Sequence, residues 1–177
     1  NALIIIEHNA HPVIGTSGLL DTQIATLTSL SETKQLGGIV VPNFSIGAIL
    51  MMQFSKMAAK FMSEVEIIEA HHQQKLDATS GTAIKTAEMI AAARVNAKNQ
   101  LEERAVVANA RGAEYQDVNI HSIRLPGFLA SQQVIFGNIG ETLTISHNSI
   151  DRSAFMPGLI LACQAVTQQK TLIYGSN

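Results

Sequence analysis

The chain has 177 residues, 46% of them hydrophobic and 15% charged, with 12 glycines and a net charge of −2. That composition excludes a disordered chain, and the length supports one domain or one and a half. The small negative charge gives no general drive toward nucleic acid or anionic membrane, the single Cys163 excludes an internal disulfide and fits a reducing cytoplasm, and no apolar run approaches the ~18 residues of a membrane span.

The sequence opens Asn1-Ala2-Leu3-Ile4-Ile5-Ile6, an apolar run with no Met before it. The run is too short for a signal peptide and lacks its basic flank. We expect the chain to lack its true beginning. Residues 11–15 read as a short buried strand that enters the turn Gly15-Thr16-Ser17-Gly18. Hydroxyls at the carboxyl end of such a strand lie where open α/β sheets bind ligands, although alone this is an ordinary turn. Residues 20–30 predict a helix with Asp21 near its start. Residues 37–41 predict a second strand, ending at Pro42-Asn43-Phe44-Ser45. From 45 to 62, Ile46, Ile49, Leu50, Gln53, Phe54, Met57 and Phe61 follow helical spacing, with Ser45 or Asn43 as cap. The methionines here read as core or interface filler.

Residues 65–70 alternate apolar and polar and predict a strand, and residues 83–93 predict a helix. Between them lies His71-His72-Gln73-Gln74-Lys75-Leu76-Asp77-Ala78-Thr79-Ser80-Gly81-Thr82. The first N–H groups of a helix lack intrahelical partners, and the helix dipole favours negative charge there. Ser80, Gly81 and Thr82 therefore make an anion-wrapping helix start, with Gly81 allowing close backbone approach. Lys75 and a histidine add charge and a proton. Taken singly, Thr79-Ser80 is an N-cap, the histidine pair is one surface and one packed residue, and Lys75 is a solvated charge. Their concentration in one loop points to a small anionic substrate that needs protonating.

Residues 98–111, with Glu102, Glu103 and Arg104, read as a helix end and surface loop. Three alternating runs follow, at 118–125, 132–137 and 141–146. They are separated by Pro126-Gly127 and by the hairpin-like Asn138-Ile139-Gly140. We expect them to extend the strand before the histidine loop as antiparallel neighbours. Residues 154–168 predict a last helix, capped by Ser153, with Pro157 in its first turn. There is no His-Glu-x-x-His and no cysteine pair, and adjacent histidines on an extended chain face opposite ways, so no metal site is expected.

The run Glu69-Ala70-His71-His72-Gln73-Gln74-Lys75-Leu76-Asp77-Ala78-Thr79-Ser80-Gly81-Thr82-Ala83 resembles the signature of the dihydrodipicolinate reductase family. The family is also called 4-hydroxy-tetrahydrodipicolinate reductase. The one departure is Thr79 in place of Pro, which keeps a hydroxyl and gives a looser turn. Gly15-Thr16-Ser17-Gly18, Asn43-Phe44-Ser45 and His121-Ser122-Ile123-Arg124-Leu125-Pro126-Gly127 extend the resemblance. Ser17 stands where the family usually has Thr.

The resemblance implies an α/β chain with two parts. One is the C-terminal part of a Rossmann-like nucleotide-binding domain, at 1–44 and 153–177. The other, 45–152, is an α+β substrate-binding and oligomerisation domain with an open mixed sheet that builds a homotetramer. The family's glycine-rich loop has no counterpart here, since no Gly-x-Gly-x-x-Gly occurs. The resemblance further implies NADH- or NADPH-dependent reduction of a cyclic dicarboxylate to tetrahydrodipicolinate, in diaminopimelate and lysine biosynthesis. It makes His71 the proton donor, Lys75 its partner in catalysis, and His72, Ser80, Gly81 and Thr82 substrate contacts. Gly15, Thr16, Ser17, Val41, Pro42, Asn43, Phe44, Arg152 and Phe155 would meet the cofactor. Two alternatives stay open: an inactive substrate-binding and oligomerisation module of that enzyme, and another nicotinamide oxidoreductase of the same two-domain plan.

Overall fold

The computed structural model describes residues 1–16, 19–41, 43–95 and 106–175. The chain divides into two compact units, Asn1–Ile49 with Arg152–Asn177, and Leu50–Asp151.

The first unit holds α1 (Ala2–Glu7), β1 (Val13–Ile14), α2 (Asp21–Lys34), β2 (Gly38–Val40), a 3-10 turn (Arg152–Phe155), α5 (Met156–Val166) and β8 (Leu172–Tyr174). The three strands form a parallel sheet in the order β1-β2-β8, with Ile39 opposite Val13 on one side and Ile173 on the other. A central parallel strand has both faces covered, and β2 is buried throughout. Its alternation sorts two cores. Val40 packs with Ile6, Leu27 and Leu172, whereas Ile39 and Val41 pack with Val166 and Ala162 of α5. Helix α2 ends at Gln35, whose φ of 54° makes a left-handed cap. Gly37 is required by packing, since a Cβ there would lie 2.1 Å from the carbonyl oxygen of Val166.

The second unit is built on β3 (Glu64–His71), α4 (Gly81–Ala93), β4 (Ala113–Tyr115), β5 (Val118–Arg124), β6 (Ala130–Asn138) and β7 (Glu141–Ser149). The sheet order is β4-β5-β3-β6-β7. The expectation of antiparallel neighbours holds for β6 on β3 and for β7 on β6. It fails for β5, which pairs with β3 in parallel. Parallel neighbours need a crossover rather than a hairpin between them, and both α4 and β4, which is antiparallel to β5, lie between β3 and β5 in the chain. Helix α4 buries Ala83, Thr86, Ala87 and Ile90, a stripe at helical spacing. Val65, Ile67, Val118, Ile120, Val134 and Phe136 are buried in the strands. Gln132 of β6 donates to the Thr86 hydroxyl at 2.8 Å, which fixes the face that α4 covers. Gly140, with φ of +81°, makes the β6–β7 turn.

Helix α3 (Ile46–Ala58) carries the division between the units. Ser45 caps it by accepting the Ala48 N–H at 3.3 Å, and Asn43 in turn accepts the Ser45 N–H at 2.9 Å. Met51 and Met52 are buried, while Met57 is exposed. The start of α5 differs from the expectation. The 3-10 turn occupies Arg152–Phe155, so the N-cap position falls to Phe155 and not to Ser153. Pro157 does sit in the first turn. No helix among the described residues is long and apolar enough to cross a membrane.

Candidate active site

The β3–α4 connection runs from His71, the last residue of β3, to Ser80. Ser80 is the N-cap of α4, and its hydroxyl accepts the Ala83 N–H at 3.2 Å. Gly81 and Thr82 begin the helix, and Gly81 is exposed. A helix start whose first residue is an exposed glycine leaves N–H groups and the positive end of the dipole where an anion can approach. The peptide bond between Ala78 and Thr79 is cis.

The connection is organised by its own polar groups. The Lys75 N–H donates to the His72 carbonyl at 3.1 Å. The Lys75 ammonium donates to both oxygens of Asp77, at 2.8 and 2.7 Å. That contact, above all, holds the Asp77 carboxyl below its usual range. His72 lies 3.1 Å from the Gln74 amide oxygen through Nδ1. Lys75 is thus already near a carboxylate, one that is two-thirds exposed and readily exchanged.

His71 is held differently. Its Nδ1 lies 2.6 Å from Oε2 of Glu69, two residues back on the same strand and so on the same face. Glu69 is 0% exposed. Arg124, at the end of β5, grips this carboxylate with both terminal nitrogens: Nη1 donates to Oε2 at 2.9 Å and Nη2 to Oε1 at 2.8 Å. Parallel pairing makes this possible, because it sets Arg124 opposite His71. Burial pushes the Glu69 carboxyl upward, but hydrogen bonds from His71, Arg124 and Ser122 and the Arg124 charge prevail and hold it down at about 2. Glu69 is therefore ionised at neutral pH. An ionised carboxylate only accepts, so Nδ1 of His71 carries the proton and Nε2 is the nitrogen left for a ligand. Arg124 also donates to the Asp77 carbonyl at 2.8 Å, which ties the loop to the sheet.

The candidates named from sequence fall into two groups. His71, His72, Lys75, Ser80, Gly81 and Thr82 share the one β3–α4 connection, in the second unit. Gly15, Thr16, Val41, Asn43, Phe44, Arg152 and Phe155 belong to the first unit. Ser17 and Pro42 lie outside the described residues, as does part of the polar stretch at 98–111. Gly15 and Thr16 follow β1, and Val41 to Phe44 follow the neighbouring parallel β2. A Cβ on Gly15 would lie 2.5 Å from the Phe44 ring, so the two strand-end turns touch. A Cβ on Gly158 of α5 would lie 2.0 Å from the Phe44 carbonyl oxygen. Adjacent turns at the carboxyl ends of parallel strands lie where open α/β sheets place their ligands. Arg152 is exposed and Phe155 half-buried in the 3-10 turn.

Sequence reasoning gave no role to Glu69 or Arg124. One signal was available. A glutamate two residues before a candidate catalytic histidine, on the buried phase of a strand, needs a cationic partner.

A two-unit α/β chain with an exposed, glycine-led helix start and a carboxylate-oriented histidine has clear relatives. The family model for dihydrodipicolinate reductase, C-terminus, matches residues 47–177. The 4-hydroxy-tetrahydrodipicolinate reductase of Legionella pneumophila (strain Corby) is 64% identical over 175 residues, covering 99% of this chain and 72% of that protein. That of Shouchella clausii (strain KSM-K16) is 53% identical over 97% of this chain and 66% of its own length. Among solved structures, the dipicolinate-bound dihydrodipicolinate reductase from Paenisporosarcina sp. TG-14 gives a TM-score of 0.86 at 47% identity, covering 98% of this chain and 66% of that one. The chain belongs to the dihydrodipicolinate reductase family.

Proposed function

We propose that the chain takes part in NADH- or NADPH-dependent reduction of 4-hydroxy-tetrahydrodipicolinate to tetrahydrodipicolinate, as a cytoplasmic homotetramer. The observation that carries this reading is His71, oriented through Nδ1 by an ionised carboxylate, in the same connection as Lys75 and the start of α4. The domain assignment follows. Residues 1–44 and 153–177 serve the nucleotide, and 45–152 serve substrate and assembly. The dipicolinate held by the Paenisporosarcina relative supports a dicarboxylate ligand.

In this mechanism the first-turn N–H groups at Gly81 and Thr82, with Ser80, grip one carboxylate of the substrate. Lys75 exchanges Asp77 for the substrate and offsets its charge, and His72 adds a contact. His71 then passes the Nε2 proton of its imidazolium to the carbon next to the reduced centre, and is left neutral with the proton on Nδ1. Gly15, Thr16, Ser17, Val41, Pro42, Asn43, Phe44, Arg152 and Phe155 would hold the cofactor. When bound, NADH or NADPH supplies the hydride.

The test is oxidation of NADH and NADPH with substrate, by this chain and by a polypeptide of the relatives' full length. His71→Ala and Lys75→Ala are each expected to cost about 10²–10⁴-fold in turnover while the protein stays folded. Turnover at the parental rate in either variant overturns these roles. A second reading has support in the 72% share of the Legionella relative that the chain spans. In it, these residues bind dipicolinate and assemble but turn nothing over. Dipicolinate binding by the 177-residue chain without cofactor binding, alongside activity in the longer polypeptide, decides for that reading.

A further inference from the structure

We propose that Glu69 and Arg124 form a positioning pair for His71. Arg124 fixes the Glu69 carboxylate, and the carboxylate fixes the imidazole in one tautomer with Nε2 toward substrate. The proposal deepens the reading of His71 as proton donor and rests on it.

The geometry is specific. Glu69 Oε2 receives both His71 Nδ1 at 2.6 Å and Arg124 Nη1 at 2.9 Å. Oε1 receives Arg124 Nη2 at 2.8 Å. A carboxylate bonded only to a histidine can rotate, whereas a forked guanidinium on two oxygens sets its plane. Among the described residues, Glu69 is bonded by His71 on its own strand and by Arg124 and Ser122 on β5, and it pairs with Gln132 on β6, whose amide bonds Thr86 of α4. Of these, only His71 and Arg124 carry or gain charge. The same guanidinium bonds the Asp77 carbonyl at 2.8 Å, so the strand end with His71 and the loop with Lys75 share one fixed point. An acid and its orienting carboxylate work as a unit when the third group holds the carboxylate still.

A purely structural ion pair has the same distances, so the test reads the imidazole itself. Nitrogen-15 NMR of histidine-labelled protein gives the tautomer of His71, and steady-state kinetics in a polypeptide of the relatives' full length give kcat, KM and their pH profiles. Glu69→Gln keeps the size and one acceptor oxygen, removes the charge, and sets an NH2 donor where the second oxygen accepted. We expect the Nδ1–H preference to give way to a mixture of tautomers. We expect kcat to fall about 100-fold with KM changed less than about threefold, and the alkaline limb of the kcat profile to move to lower pH. Arg124→Lys keeps a cation without the fork and should lose about tenfold in kcat while His71 stays Nδ1–H. It also serves if Glu69→Gln does not fold. A folded Glu69→Gln with the parental tautomer and pH profile overturns the pairing, as does an Arg124→Lys variant with unchanged kcat. Should the parent enzyme not reduce the substrate, the functional reading fails, and the tautomer measurement still decides the pairing.

Discussion

Glu66 and Glu69 lie three residues apart on β3, each holding one arginine and one histidine, on opposite faces of the sheet. Glu69 sits on the face covered by α4, is 0% exposed, and holds Arg124 and His71. Glu66 sits on the other face, is 36% exposed, and holds Arg111 and His121, the latter at 2.8 Å. That face carries a cavity of about 380 Å³ lined by Glu64, Glu66, Ile68, Arg111, His121 and Ile135. The residue types are the same and the environments are not. Solvent screens the exposed cluster, so its members can part and re-form at little cost. The buried carboxylate has no water to fall back on, and the groups that satisfy it are thereby fixed. Burial turns an ordinary ion pair into a device that orients an imidazole.

The comparison breaks most visibly on removal of the arginines. Arg124→Met leaves a buried carboxylate with His71 and Ser122 as its remaining partners and should cost about 3–5 kcal/mol in denaturant unfolding. Arg111→Met should cost about 1 kcal/mol at most. Equal losses in the two variants would erase the distinction.

Acid gives the next largest effect. The Glu69 carboxyl is held at about 2 in the fold against 4.5 for a free glutamate. Its folded-state value is depressed, so its contribution is complete above about pH 4.5 and is lost as pH falls toward 2. A difference of that size corresponds to about 3 kcal/mol. Unfolding free energies measured at steps between pH 5 and 2 should decline by that amount more in the parent than in Glu69→Gln. Parallel declines would place the acid sensitivity elsewhere.

How far the sequence carries this picture depends on how local each feature is. The strand, loop and helix from Glu64 to Ala93 are legible, because alternation, a Ser cap and an alanine-rich stripe all act within a few residues. The pairing of β5 with β3 is not local, and three alternating runs look alike whichever way they run. The direction of β5 also depends on β4, the short strand that pairs antiparallel with it after α4. Strands β4 and β8 have three residues each, too few for a period to register. Within the site, the β3–α4 connection stands out as a contiguous motif, whereas Arg124 lies 55 residues from Glu69 and reaches it only through the parallel register. Likewise Gly15 and Phe44 meet only because β1 and β2 are neighbours.

The smallest expected effect is the sharpest control. Glu66→Gln removes the charge shared by Arg111 and His121 but leaves an amide oxygen in the same place. Because solvent reaches this cluster, the change should stay within about 1 kcal/mol at low salt and shrink further near 1 M salt, where charges are screened beyond about 3 Å. Glu69→Gln, measured beside it, should keep most of its loss at high salt, since ions do not enter the buried pair. A salt series on both variants therefore isolates burial as the variable, with residue type, strand and partners held alike. If the Glu66→Gln loss proves large and indifferent to salt, something covers that face in solution. A neighbouring copy of the chain, as the proposed homotetramer requires, is then the first occupant to test by sedimentation at low and high protein concentration.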